Sequence, residues 1–95
     1  MVKVLIKEIP HEGRYDFQIS LPFYKRNVVL GQVKEGVLRP GMKLKVNDRV
    51  MEIDRIEANN KKLEEAKEGE EVWLIIKKGD TKILLSLVGQ VVEIL

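Results

Sequence analysis

The side chains with the clearest capacity for chemistry in this sequence are bases that could bind phosphate groups. Residues 23–49 carry seven bases and two acids, a local charge of +5, although the net charge of the 95-residue chain is only +2. Each Lys or Arg that neutralises a phosphate releases counterions, so such a cluster favours weak, salt-sensitive binding of nucleic acid. A solvated strand face, on which lysines oppose aggregation, is the alternative interpretation. The bases are Lys25, Arg26, Lys34, Arg39, Lys43, Lys45 and Arg49, and the predicted nucleic-acid site also includes the adjacent Tyr24.

Aromatic residues beside these bases could add a stacking surface for RNA. Phe23 and Tyr24 directly precede Lys25 and Arg26, a pattern typical either of a contact surface or of side chains that close a barrel end. Trp73 lies inside an apolar run and is predicted to be buried. The following residues, 50–71, carry eight acids and four bases, a local charge of −4, so the surface is predicted to be dipolar.

Catalytic and metal-binding chemistry finds little support in the residue types present. The chain has one histidine, His11, and no cysteine, which excludes a thiolate zinc site and a cysteine nucleophile. With Ser20, Ser86 and a single threonine, a nucleophile, a base and an orienting group are hard to assemble. Adjacent acids such as Glu64 and Glu65 are typical of a solvated loop. The sequence therefore predicts no enzyme activity, no cofactor and no metal site.

The elements that would position the bases are predicted to be short β-strands. Val, Ile and Thr number 22 against two Ala, and β-branched residues suit a pleated, half-buried surface. Strands are predicted at residues 2–9, 14–21, 28–34, 42–46, 49–58, 72–76, 82–87 and 90–94. Residues 59–69 are predicted to form a polar loop with a single turn. About seven to eight short strands in so small a chain favour an all-β fold, a small closed antiparallel β-barrel, because closure removes open edges.

Glycine, proline and asparagine positions predict where this barrel bends. Gly31, in the middle of a strand, predicts a bulge or a close approach of two backbones. The pair Pro40–Gly41 suits the two central positions of a type II turn. Asn47–Asp48 predicts a two-residue hairpin turn.

The chain is predicted to be a single domain spanning residues 1–95, with no linker and no repeat. No segment offers the roughly 20 apolar residues needed to span a bilayer, and the N-terminal residues do not predict a signal peptide. The absence of cysteine favours a cytoplasmic protein. The charged fraction of 34%, mostly Lys and Glu, favours a thermophilic source.

Taken in order, residues 29–72 resemble the β-barrel that follows the GTPase domain in elongation factor Tu and related translational GTPases. The resemblance rests on Gly31, on EGVLRPG at 35–41, on EEAKEGEEV at 64–72 and on VGQV at 88–91. These segments are also similar to the C-terminal barrel of the archaeal and eukaryotic initiation GTPase that joins ribosomal subunits. The resemblance implies a translation-protein barrel, which is not the catalytic part of that family. The phosphate-binding motif GxxxxGK[ST] does not occur, so the GTPase domain is absent from this sequence.

The resemblance adds a second candidate site in the polar loop at 59–62. In elongation factor Tu, the corresponding loop contacts the 3′ end of aminoacyl-tRNA, partly through an aromatic residue and an arginine. The matching residues here are Asn59 and Asn60, which can neither stack nor clamp, so an aminoacyl pocket of that type is not expected. We nevertheless predict that Asn59, Asn60, Lys61 and Lys62 contact RNA together with the bases named above.

Three functions follow as hypotheses. The first is a stand-alone, non-catalytic binding module for tRNA, ribosomal RNA or the ribosome, with no role for a membrane or DNA. The second is a protein-interaction adaptor that docks on a translation factor or a ribosomal protein through the acidic segment or a free sheet edge. A detached barrel with a role outside translation is a third, since a fold does not determine a function.

Overall fold

The computed structural model describes residues 1–9, 27–59, 61–77, 79 and 81–95. Within these residues the chain forms seven strands and one short helix. They are β1 Val2–Glu8, β2 Asn27–Glu35, β3 Lys43–Val46, β4 Arg49–Ala58, β5 Lys61–Leu63, β6 Glu71–Lys77, α1 Thr81–Ser86 and β7 Val91–Ile94. The strand predicted at 14–21 lies outside the described residues. The other strand predictions, except that at 82–87, agree with observed strands to about one residue at each end.

Six of the strands close into an antiparallel barrel. Hydrogen-bonded neighbours follow the order β3-β7-β1-β2-β6-β4, and β4 pairs with β3 to complete the cylinder. The short strand β5 extends the sheet by pairing with the C-terminal part of β4. The closed all-β barrel predicted from the strand pattern is therefore confirmed.

The core fills the inside of the cylinder with alternate residues of each strand. Its members include Val4, Ile6, Val29, Val33, Leu44, Met51, Ile53, Ile56, Val72, Leu74 and Ile76. Gly31 shows how tightly the core is packed, because a Cβ on this residue would lie 2.7 Å from Cγ1 of the Val4 side chain. The register between β1 and β2 shifts between Ile6 and Glu8, opposite Gly31 and Leu30. Of the two alternatives predicted at Gly31, the bulge is therefore the one observed, and it lies in the partner strand.

Strand β6 is buried on both of its faces. Its outward residues Trp73 and Ile75 form a second cluster with Val28 of β2, against which Leu30 packs. Trp73 is only 7% exposed, so its predicted burial is confirmed. It lies outside the cylinder, however, rather than in the central core.

Three connections attach to the barrel in the same way, through the N–H of a glycine. These groups donate to strand carbonyls of the core: Gly41 to Ile53 at 2.8 Å, Gly69 to Val33 at 2.8 Å, and Gly89 to Ile6 at 2.7 Å. The first belongs to the turn predicted at Pro40–Gly41, in which the N–H of Met42 donates to the carbonyl of Arg39 at 3.3 Å. Gly41 has a φ of 92°, as the third residue of a type II turn requires.

The strand predicted at 82–87 is wrong, because residues Thr81–Ser86 form the helix α1. The apolar residues follow a helical spacing: Leu84 and Leu87 stand three apart, and both are buried in the core. Leu, in contrast to Val and Ile, has a high helix propensity. Leu84 in the helix and Leu87 in the turn that continues it therefore point to the same side and are both buried, where an alternating strand would have exposed one of them.

The loop predicted at 59–69 contains more regular structure than expected. Residues 61–63 pair with β4 as β5, and Asn59 adopts a φ of 54° in the turn between these strands. Further on, Ala66 and Leu38 exchange two backbone hydrogen bonds of 2.8 Å. Both side chains are fully buried, so this pair joins the connection at 36–42 to that at 64–70.

Candidate nucleic-acid interface

The β3–β4 hairpin presents two of the predicted bases, Lys43 and Lys45, on the outside of the barrel. Leu44 points into the core, so its neighbours Lys43 and Lys45 point outwards, and both are exposed. The turn at Asn47–Asp48, predicted from the sequence, joins the two strands with Asn47 at a φ of 54°. Arg49 follows the turn and is exposed. It is paired with Val46, however, so it lies on the side of the hairpin that carries Leu44 and not on the side that carries the lysines.

The other edge of β3 is held by the C-terminal end of the described chain. Lys43 and Leu95 exchange two backbone hydrogen bonds, of 2.9 and 2.7 Å, next to the pair formed by Leu44 and Ile94. With β4 on one side and these residues on the other, the backbone at Lys43 and Leu44 is held at both edges. The ammonium group of Lys43 thus projects from a supported part of the sheet, and Lys45 is paired on the β4 side.

Strand register places a further lysine on the same outer face. Glu52 of β4 is paired with Lys43 of β3 on one side and with Lys77 of β6 on the other. Directly paired residues of neighbouring strands share a face of the sheet. Together with Val50, these three residues line a shallow depression of about 260 Å³. We call the surface formed by Lys43, Lys45, Val50, Glu52 and Lys77 the hairpin face.

The hairpin face carries more positive than negative charge. Its three lysines stand against one carboxylate of the face itself, that of Glu52. Asp48 lies in the adjoining turn, and Glu93 of β7 lies beside Lys45, one position along from the pair formed by Leu44 and Ile94. The surface is therefore moderately basic, and its exposed ammonium groups can exchange solvent counterions for phosphate oxygens. Lys77 was not among the residues predicted from the sequence. Its pairing with Glu52 depends on a register between β4 and β6 that the sequence does not reveal.

The candidate residues of the β4–β5 hairpin lie far from the hairpin face. Arg49 begins β4 and Ala58 ends it, ten residues in all, which corresponds to about 30 Å at roughly 3.3 Å per residue. Asn59, Lys61 and Lys62 follow Ala58, and all three are exposed. The structure therefore divides the predicted bases between two ends of β4 and does not assemble them into one surface.

Two more candidates lie apart from the hairpin face. Lys34 is an exposed residue of β2, which lies three strands away from β3 in both directions around the cylinder. Arg39 is exposed in the connection after β2, where its guanidinium lies 3.5 Å from the carboxylate of Glu65. The remaining candidates lie outside the described residues; they are Tyr24, Lys25, Arg26 and Asn60.

The acidic residues concentrate at the end of the barrel that holds the β4–β5 hairpin. Residues 64–71 contain five acids and one base, Lys67. Their carboxylates serve local structure: Glu68 accepts from the N–H of Gly36 at 3.3 Å, and Glu70 accepts from the N–H of Lys67 at 2.6 Å. This end therefore mixes acids with Lys61 and Lys62, whereas the hairpin face is predominantly basic.

A buried ion pair on the outer face of β4 was not anticipated from the sequence. The Glu57 side chain is fully buried and accepts a hydrogen bond from the guanidinium of Arg55. Glu57 is paired with Trp73 of β6, so it adjoins the second apolar cluster. A register shift between Ile53 and Arg55 marks a bulge in β4. An interrupted alternation of apolar residues around Asp54 was the available signal for it.

Other kinds of site find no support in the part of the chain that the structure describes. There, no group of three or more His, Asp or Glu side chains is placed to hold a metal ion. Nor is any helix among those residues long and apolar enough to cross a membrane.

Comparison with known proteins identifies the type of barrel. A family model, elongation factor Tu domain 2, matches residues 27–93, which is more than half of the chain. The matched segment runs from the start of β2 to the penultimate residue of β7 and so contains the whole hairpin face. No significant match was found among curated proteins.

Proposed function

Because this chain belongs to the elongation factor Tu domain 2 family, we propose that it is a non-catalytic module that binds tRNA or ribosomal RNA. The observation that carries the proposal is the hairpin face, where register brings Lys43, Lys45 and Lys77 onto neighbouring strands of a closed sheet. Membership of the family supports a barrel that acts in translation. The basic face supports binding of a polyanion such as RNA.

The mode of binding that this surface supports is contact with the phosphate backbone. Lys43 and Lys45 stand on alternate positions of β3, so their Cα atoms are about 7 Å apart. Their ammonium groups donate hydrogen bonds and carry full charge, as phosphate oxygens require. Three such contacts give a slope of about −2 in a plot of log affinity against log salt concentration for a single strand.

The competing explanation is that the lysines only form a solvated surface that protects a strand edge from aggregation. Closure of the barrel weakens this explanation. Lysines on an open strand edge protect it from pairing with other chains. Here β3 is paired with β4 and, at Lys43 and Leu44, with the C-terminal residues. Edge protection is therefore not required at these two positions.

The proposal is tested by titrating the full chain against tRNA and ribosomal RNA fragments at two salt concentrations. We expect binding at low salt that weakens as salt is added. The double variant Lys43→Gln/Lys45→Gln should weaken binding and make the salt slope shallower by about 1.4. The matched control is Lys61→Gln/Lys62→Gln, which removes the same charge at the opposite end of β4. No binding at low salt, binding that is insensitive to salt, or equal losses in both variants would reject the hairpin face as the site.

A protein-docking function is the second candidate, and a specific observation favours it. Leu85, Val88 and Val91 are 52%, 41% and 52% exposed, and they lie close in sequence where α1 leads into β7. Exposed apolar residues that occur together are typical of interaction surfaces. A ribosomal protein or translation factor that is captured by the full chain after nuclease treatment, and lost with Val88→Ser/Val91→Ser, would favour this function. Partners that disappear with nuclease favour RNA.

A further inference from the structure

One row of the hairpin face alternates in charge across three strands. Lys43, Glu52 and Lys77 are directly paired in register, and Glu52 occupies the central position. Neighbouring strands are about 4.8 Å apart, so the two lysine Cα atoms are about 10 Å apart with a carboxylate midway between them. The flanking residues Met51 and Ile53 point into the core, which directs Glu52 outwards.

This row imposes a particular pattern on any ligand that occupies it. The lysine ammonium groups only donate hydrogen bonds, and they attract anions. The carboxylate of Glu52 only accepts hydrogen bonds, and it repels a phosphate placed directly above it. A matching ligand therefore has two anionic groups with a neutral hydrogen-bond donor between them.

An RNA strand has this pattern, and a DNA strand lacks part of it. Successive phosphates alternate with sugars along both strands, but only ribose carries the 2′-hydroxyl, which can donate a hydrogen bond. We propose that Lys43, Glu52 and Lys77 form a site that selects RNA over DNA, with phosphates on the two lysines and a ribose 2′-hydroxyl donating to Glu52. This inference rests on the proposed function, because it assigns a task to one row of the same face.

Val50 supports the same arrangement. It lies on the outer face of β4 two residues before Glu52, it is 55% exposed, and it lines the depression with the three charged residues. An apolar wall beside a carboxylate suits the carbon face of a ribose better than it suits another phosphate. The depression thus offers a polar contact and an apolar contact to one sugar.

The test compares three oligomers that differ only at the 2′ position: oligouridine, oligodeoxyuridine and 2′-O-methyl oligouridine. The full chain is titrated against each labelled oligomer by fluorescence anisotropy at low salt. We expect oligouridine to bind about tenfold more tightly than the other two, at the low end for a hydrogen bond to a charged group. The 2′-O-methyl oligomer keeps an oxygen at this position but cannot donate.

The variant Glu52→Ala should bind all three oligomers with similar affinity. It removes the carboxylate that accepts from the 2′-hydroxyl, and with it the repulsion between this carboxylate and the phosphates. Glu35→Ala removes one exposed carboxylate from β2, three strands away from β3, and should keep the tenfold ratio. Equal binding of the three oligomers by the unmodified chain, or failure to bind any of them while tRNA still binds, overturns this inference alone. Loss of tRNA binding as well overturns the proposed function. The comparison between oligomers needs no variant, so a poorly folded Glu52→Ala would not prevent a decision.

Discussion

The side chain of Val4 on β1 packs against Gly31 of β2. We therefore predict that Gly31→Ala lowers the free energy of unfolding of the unmodified chain but raises it when Val4 is replaced by alanine. Gly31→Ala places a methyl group 2.7 Å from Cγ1 of Val4, while Leu74 Cδ1 and the carbonyl oxygen of Leu5 are at 3.4 and 3.5 Å. Only the contact with Val4 is a clash, and Val cannot rotate away easily because its χ1 is restricted. Forcing a methyl group into a packed core costs about 1–3 kcal/mol.

Against this cost, alanine has a lower entropic penalty than glycine within a strand, worth about 0.5–1 kcal/mol. We therefore expect Gly31→Ala alone to lower the free energy of unfolding by about 1 kcal/mol. In a Val4→Ala background the clashing methyl group is gone, and the same substitution should raise the free energy of unfolding by about 0.5–1 kcal/mol. Val4→Ala itself should cost about 2–3 kcal/mol through lost burial and a cavity.

The measurement is urea denaturation of the four proteins of this double-mutant cycle, followed by the fluorescence of Trp73 and by circular dichroism. A matched background is Leu44→Ala, which opens a cavity on β3, three strands away from β2. There Gly31→Ala should still destabilise. Equal destabilisation by Gly31→Ala in the Val4→Ala background and in the unmodified chain would refute the argument, because the cost would not then come from Val4.

Three further substitutions test other parts of the fold. Leu84 of α1 is 1% exposed, so Leu84→Ala should lower the free energy of unfolding by about 2–5 kcal/mol. Leu85→Ala, at an exposed neighbour, should lower it by less than about 0.5 kcal/mol. Comparable losses for the two variants would contradict the packing of α1. Glu57→Ala removes the buried carboxylate that accepts from the guanidinium of Arg55, and it should lower the free energy of unfolding measured by urea denaturation by about 3 kcal/mol. A loss as small as that caused by Glu52→Ala would argue against the buried pair. Gly69→Ala meets no neighbouring atom within 4 Å but has a φ of 89°, so backbone strain alone should cost about 1–2 kcal/mol; an unchanged unfolding midpoint would contradict that conformation.

The strand positions were predictable because they depend on local pattern. β4 was predicted at 49–58 and observed at Arg49–Ala58, since Asn47–Asp48 marks its start and the asparagine after Ala58 marks its end. The same reasoning failed at 82–87, where strand alternation was assumed although Leu84 and Leu87 stand at a helical spacing. A short apolar segment does not distinguish a strand from one turn of helix until the core that it covers is known.

The composition of the candidate site was only partly predictable, because register is a property of strand pairs. Lys43, Lys45 and Arg49 are close in sequence and share one hairpin, so their proximity could be expected. Lys77 joins them only through the pairing of β6 with β4. Conversely, Lys61 and Lys62 are closer to Arg49 in sequence than Lys77 is, but the length of β4 separates them from it in space.

Asn59 was predicted to contact RNA, but its position in the structure gives it a role in forming a turn. Its φ of 54° in the β4–β5 turn is a conformation in which asparagine is enriched, so turn geometry accounts for this residue without a ligand. By contrast, folding gains only about 0.2–1 kcal/mol from each of the opposite-charge pairs that Lys43 and Lys77 form with Glu52, and uncharged residues of higher strand propensity would serve at these exposed positions. Within a family that shares the barrel, functional residues should therefore be sought at positions where folding does not account for the type of side chain present. Among the described residues, the alternating row of the hairpin face meets that condition better than the β4–β5 turn does.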